Sequence, residues 1–252
     1  KFLKRSLDEY LTSRTFESKR ENALMYNDGQ GYIRYQKGSL IFYALSDYIG
    51  EKKLNKALRK YVEKVAFQEP PYTTTIDLVN HVKEVTPDSL NYLIKDMFET
   101  ITLYQNKIVS TESKKLENGK YQVDIEFKVS KYRNDEKGKI FYGDQERDSI
   151  SFKTEEMKKP EYSVFLSDYV DVGIFGEEDD KETELYLKKH KISSINNKVS
   201  IIVDKEPIEV GIDPYNKLID TNSEDNRKKI NQEILTDKNG GLKKVPEYTS
   251  SI

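Results

Sequence analysis

The chain has no cysteine. That excludes disulfides, thiolate metal sites and a cysteine nucleophile. Histidine is nearly as scarce, with only His81 and His190, far apart in sequence. No His-Glu-x-x-His segment occurs, so the helical pair of imidazoles that holds a catalytic zinc is missing. No apolar run approaches the roughly 20 residues needed to cross a bilayer. Lys1-Phe2-Leu3-Lys4-Arg5 leads into an amphipathic pattern, not the apolar core of a signal peptide. Neither sign of charge dominates: 42 Lys and Arg stand against 44 Asp and Glu, for a net charge of -2. Without a basic excess there is no electrostatic footprint for nucleic acid.

The chain is polar, with 36% hydrophobic and 34% charged residues. The apolar residues are nonetheless patterned, so disorder is expected only towards the end. A length of 252 residues suffices for one large core or two smaller ones.

The first hundred residues read as helices. Phe2, Leu3, Leu7, Tyr10 and Leu11 recur at helical spacing. Asn27-Asp28-Gly29 is a turn signal. The next helix carries Tyr35, Leu40, Phe42, Leu45 and Ile49 and stops at Gly50. Glu51 to Val65 follows, with Leu54, Leu58, Tyr61, Val62 and Val65 on one face. Pro70-Pro71 interrupts the pattern. Thr74 or Thr75 then caps a helix burying Leu78, Val79, Val82 and Val85. Thr86-Pro87-Asp88 restarts the chain, with threonine as cap and proline at the first helical position. That helix buries Leu90, Leu93, Ile94, Met97 and Phe98.

From Ile101 the period becomes two. Tyr121, Val123, Ile125, Phe127 and Val129 alternate with polar residues, and Asn118-Gly119 just before them signals a hairpin. Further short strands are expected at 101–110, 139–142, 149–152, 162–166, 170–175, 184–187, 199–203 and 209–212. The fold class is therefore α+β: a helical segment (residues 1–100) followed by an antiparallel β-sandwich (101–215). A polar tail over 216–252 is expected to be poorly ordered.

Most chemistry-bearing residues have ordinary explanations. His81 reads as an exposed or capped helical histidine, since zinc needs two or three more ligands. His190, within Lys188-Lys189-His190-Lys191, reads as a solvated strand end or turn. Those lysines keep an edge strand soluble. Glu177-Glu178-Asp179-Asp180 offers oxygens for calcium but lacks the order of a calcium loop, and reads as a solvated acidic loop. Ser39 lacks the Gly-x-Ser-x-Gly spacing of a nucleophile elbow.

One segment stands apart. Tyr35-Gln36-Lys37-Gly38 opens an apolar helix and resembles the catalytic-tyrosine helix of the aminopeptidase-N-like zinc metallopeptidases. The Leu45 to Gly50 segment, Leu54, Leu58, Tyr61 and the Thr73-Thr74-Thr75-Ile76-Asp77-Leu78 helix start follow the family's order after that tyrosine. Phe67-Gln68-Glu69-Pro70-Pro71-Tyr72, Leu116-Glu117-Asn118-Gly119-Lys120-Tyr121 and Ile212-Asp213-Pro214-Tyr215-Asn216-Lys217-Leu218-Ile219-Asp220 are similar to a bacterial group of this family. In that group the peptidase-like domain follows an ABC-transporter permease in one polypeptide.

The resemblance implies that Tyr35 is the residue whose hydroxyl stabilises the oxyanion, the chain's only candidate catalytic residue. It also implies a parent zinc metallo-aminopeptidase on the extracytoplasmic, periplasmic face of a bacterial membrane. The zinc ligands, the glutamate base and the motif that grips a substrate's N-terminus have no counterpart here. The expectation is a C-terminal part lying downstream of the metal site and inactive alone. Its partners would be the upstream half of the same polypeptide and a peptide substrate, with membrane contact only through transmembrane segments outside it. The alternative implied by the same group is a non-catalytic extracytoplasmic peptide- or protein-binding module attached to the permease. A third reading is an unrelated helix-plus-sandwich protein, which would bury Tyr35 in the core.

Overall fold

The computed structural model describes residues 2–141, 149–152 and 161–230. Helices come first and two antiparallel sheets follow, an α+β architecture with a sandwich-like region. No described helix is long and apolar enough to cross a membrane.

Helix α1 (Phe2–Thr15) turns Leu3, Leu7 and Tyr10 inward. After an irregular stretch, a π-helical turn (Ile33–Lys37) widens the backbone and runs directly into α2 (Gly38–Ile49). Gly50, at φ +98°, ends α2 with its N–H on the Ser46 carbonyl, and α3 (Glu51–Val65) starts at the next residue. That left-handed-side φ is why glycine stands there. Helix α3 buries Leu54 and Ala57, whereas Val62 is exposed. The expected five-residue apolar face is therefore narrower: Leu58, Tyr61 and Val65 are only half-buried, although the Tyr61 ring still meets His81 on α4 (Thr75–Val85). Asp77 anchors the start of α4, accepting from the Thr74 N–H at 2.8 Å.

Thr86 does not cap the next helix. Its hydroxyl turns back to the Val82 carbonyl at 2.7 Å and closes α4. Pro87 itself, extended at ψ 146°, precedes a 3-10 turn (Asp88–Leu90). The short α5 (Asn91–Ile94) and a second π-helical turn (Lys95–Glu99) follow. Leu90, Leu93, Ile94, Met97 and Phe98 are buried as expected.

Strands β1 (Ile101–Lys115) and β2 (Tyr121–Asn134) form a long hairpin with Gly119 at φ +84° in its turn. On the other side of β2 lie β3 (Ile140–Phe141) and, further along, β8 (Asn196–Val203). Strands β4 (Ser149–Phe152) and β5 (Glu161–Val164) pair with each other. The second sheet runs β10–β9–β6–β7, with β6 (Asp168–Glu178), β7 (Lys181–Ile192), β9 (Glu209–Ile212) and β10 (Arg227–Lys229). Between the sheets pack Ile108, Val123, Ile125, Phe127, Val129 and Ile201 against Val170, Val172, Ile174, Val210 and Ile212. Tyr142, the last residue of one expected strand, lies outside the described residues.

Composition misplaced the tail. Residues 216–230 are part of the fold: Leu218, Ile219 and Ile230 are buried, and β10 pairs with β9. Residues 231–252 lie outside the described residues. Gly211, central in β9, shows how closely this stretch packs. A Cβ there would sit 2.8 Å from Pro214 Cβ and 3.3 Å from Arg227 Cγ. Gly211→Ala is expected to lower stability by about 1–3 kcal/mol in urea denaturation, because both neighbours must shift.

Candidate functional site

Ile33, Lys37, Ile41 and Ala44 fall on one side of the turn and helix, and all four are buried. Tyr35 falls on the other side and is 64% exposed. It was expected among the apolar residues of α2, but it lies on the solvent side of the π-helical turn. Its hydroxyl has no hydrogen-bond partner among the described residues, and the Arg34 guanidinium lies 4.9 Å from its ring centroid. π-Helical turns are often found at functional sites, since the widened backbone re-aims side chains. An exposed phenol with an uncommitted proton can donate a hydrogen bond to a carbonyl or oxyanion presented to it.

Beneath Tyr35 lies a buried polar cluster. Lys37 is completely buried, with Nζ 3.9 Å from a Glu21 carboxylate oxygen and 5.5 Å from the Tyr10 ring centroid. Nζ has no hydrogen-bond partner among the described residues. Burial, outweighing the attraction of Glu21, pushes the Lys37 ammonium down to about 8. Glu21 is itself buried and accepts from the Tyr10 hydroxyl and from Arg14 Nε, the latter at 2.6 Å. Its N–H bonds the Glu136 carbonyl at 2.8 Å.

Two charge networks latch the helices to the sheets and so fix this site relative to the sandwich. In the first, Lys131 Nζ on β2 reaches Asp96 at 2.8 Å and Asp168 at 2.9 Å, while Arg133 Nη2 reaches Asp96 at 2.9 Å. The Tyr104 hydroxyl donates to Asp168 at 2.9 Å. Burial alone would push Lys131 down, but the two carboxylates outweigh it and raise it. A cleft of about 450 Å3 opens beside this network, with Tyr92, Lys95 and Phe165 among its walls. In the second network, Lys217 bridges Asp47 on α2 (2.8 Å) and Asp171 on β6 (2.6 Å), and Lys189 joins the same two carboxylates. The Tyr48 hydroxyl adds a bond of 2.6 Å to the Tyr169 carbonyl. Asp213, at φ +43°, holds the segment carrying Lys217 by accepting from the N–H groups of Lys217 and Leu218.

The histidines and acids among the described residues do not gather as a zinc site needs. His81 is buried, not exposed, with Nδ1 on the Asp77 carbonyl at 2.7 Å and Tyr61 against its ring. His190 lies within β7, pairs with the Tyr186 hydroxyl at 2.8 Å, and is held below its ordinary pKa by burial and by Lys188. Among the described residues no three His, Asp or Glu gather closely enough to hold a metal ion. Glu177 and Glu178 belong to β6, and Asp179 and Asp180 form a two-residue hairpin turn with φ +52° and +58°. That turn, not a cation loop, accounts for the acidic run.

No known family's model matches the chain, and no curated protein matches it. The likeness to the aminopeptidase-N-like peptidases rests on the residues quoted above.

The residues that sequence reasoning missed are Lys37, Glu21, Lys131, Arg133, Asp96 and Asp168. A signal existed for three of them. Lys131 and Arg133 continue the inward parity of Val123, Ile125, Phe127 and Val129, and Lys37 sits on the helical face of Ile33 and Ile41.

Proposed function

We propose that this chain supplies the oxyanion-donor side and the β-sandwich of an aminopeptidase-N-like peptidase. In this reading it is joined, on the extracytoplasmic side of a bacterial membrane, to an ABC-transporter permease. Zinc and the general base would come from a segment outside the chain, which is inactive by itself. The observation carrying the reading is the placement of Tyr35: exposed, with its hydroxyl free, on a π-helical turn backed by a rigidly latched layer. Zinc, when held by that other segment, would polarise the scissile carbonyl and acidify water. The part assigned to Tyr35 is a hydrogen bond from its hydroxyl to the carbonyl oxygen as charge develops there.

The test is Tyr35→Phe in the polypeptide that carries both segments. Turnover of N-terminal residues is expected to fall about a hundredfold or more, the usual loss for one oxyanion donor. Zinc content should not change, and stability should stay within about 0.5 kcal/mol because the ring is exposed and Phe retains it. If turnover is unaffected, Tyr35 is not the donor. The exposed Tyr35 and Tyr43 would then support the binding-module reading, tested by peptide titration of the same two proteins.

A further inference from the structure

A fully buried lysine with no hydrogen-bond partner is an expensive thing to place in a protein interior. Lys37 is one, and it lies two residues from Tyr35 in the same π-helical turn. Nothing about the fold demands a charge there, since Ile33, Ile41 and Ala44 fill the same face with hydrocarbon.

The surroundings of the ammonium define what it can do. From α1 it faces the Tyr10 ring and Arg14; from the segment after α1 it faces Glu21; from just before its own turn comes Tyr32, stacked on Tyr10 at 6.0 Å. Tyr132 on β2 packs in the same cluster. Arg14 and the Tyr10 hydroxyl already bond the Glu21 carboxylate. Lys37 therefore acts on Glu21 through charge across 3.9 Å, not through a formed hydrogen bond. Its pull is directed from the turn towards Glu21, which Tyr10 and Arg14 tie to α1, and vanishes when the amine loses its proton.

We infer that Lys37 is a positioning residue for Tyr35: its ammonium, drawn to Glu21, holds the π-helical turn against α1 and so sets where the Tyr35 hydroxyl points. This deepens the proposed function and its catalytic arm rests on that reading, but the positional claim stands separately. The group that switches the hold is Lys37 itself, which burial brings down to about 8. Burial raises the tyrosines Tyr10 and Tyr32, so neither titrates in that range.

The experiment is tyrosine-ring carbon NMR on the 252-residue chain between pH 6 and 9, below the range in which an ordinary phenol ionises, with the Tyr35 signal identified among 18 tyrosines by its loss in Tyr35→Phe. The Tyr35 signal is expected to move with a midpoint near 8 in the natural chain. In Lys37→Met it should stay throughout at the position the natural chain reaches at high pH. In Lys37→Arg, whose charge persists across the range, it should stay at the low-pH position. A Tyr35 signal that does not move in the natural chain, or that moves equally in Lys37→Met, overturns the inference. Should one variant fail to fold, the other still decides, because the two are expected to freeze opposite ends of the same transition.

The catalytic arm uses the longer polypeptide. There Lys37→Met is expected to lower kcat about ten- to a hundredfold at pH 7 with KM unchanged, the loss expected of a misaimed group. The natural polypeptide's kcat is expected to fall as pH rises through about 8, and Lys37→Met should lack that fall. If Tyr35→Phe leaves turnover intact while the NMR midpoint still depends on Lys37, the peptidase reading fails and the positioning of Tyr35 by Lys37 survives. If Tyr35→Phe is impaired but Lys37→Met keeps full kcat and its pH profile, the positioning role in catalysis is refuted alone.

Discussion

Replacing Lys131 with Met is expected to destabilise the protein by about 3–5 kcal/mol, the usual result of removing one partner from a buried ionic cluster. Among the described residues Lys131 is the only cation bonded to Asp168, and it shares Asp96 with Arg133. Without it, Asp168 keeps the Tyr104 hydroxyl and the Ser167 N–H but no positive charge. Asp96 is less affected, because Arg133 Nη2 remains at 2.9 Å. The urea midpoint should fall with an unchanged slope, since both folded and unfolded surfaces are the same. The double variant Lys131→Met/Asp168→Asn should be less destabilised than the sum of the single changes by about 1–3 kcal/mol. The amide leaves no uncompensated charge and still accepts from Tyr104.

The pH dependence gives a second check. Burial already raises the Asp168 carboxyl above its ordinary 3.8, with Lys131 opposing. Removing Lys131 raises it further. An acid whose folded pKa is raised contributes stability that is full below its unfolded pKa and is lost as pH rises through the folded value. The deficit of Lys131→Met should therefore be small near pH 4 and grow towards neutrality. A deficit that is flat in pH would mean that lost packing against Tyr92 and Tyr104, not the carboxylates, is what Lys131 provides.

The fold was legible in the chain wherever period and punctuation agreed. The bounds of α3 follow from Gly50 and the apolar residues after it, and those of β9 from Glu209 to Ile212. The β1–β2 hairpin follows from Asn118-Gly119. What escaped was set by tertiary context. Strands β6 and β7 run to Glu178 and from Lys181, through a run of charge, because pairing continues where side chains face solvent. Residues 216–230 look like a tail because their order comes from Asp213, from Asp220 accepting the Asn106 N–H, and from pairing to β9, none of it local apolar pattern. The site divides in the same way. Tyr35 is visible through its motif, but its exposure is not, because an aromatic residue at helical spacing reads first as core. Lys37 drew notice only as part of that motif, and Lys131 and Arg133 drew none, because charged residues are mostly solvated; their positions on inward faces were the available guide.

Replacing Lys37 with Met is expected to do the opposite of replacing Lys131: to stabilise the chain by roughly 1–3 kcal/mol at pH 7. Met matches the lysine in length and fills the same space beside Tyr10, Ile33 and Ile41. Glu21 is not stranded, because Arg14 and Tyr10 still bond it. The sign with pH follows from the depressed lysine. Its ordinary value of 10.5 falls to about 8 in the folded chain, through burial first and Arg14 in addition, with Glu21 opposing. Below pH 8 both folded and unfolded chains carry the proton, and the full cost of the buried charge is present. Between about 8 and 10.5 the unfolded chain holds more protons, so the natural protein gains stability as pH rises. The advantage of Lys37→Met, read from paired denaturation curves, should thus be constant up to pH 8 and shrink above it. Equal stabilities at pH 7, or an advantage that persists unchanged beyond pH 10, would show that the ammonium is not paying for its burial. A residue that costs stability where hydrocarbon would serve is one whose place the needs of folding alone do not explain.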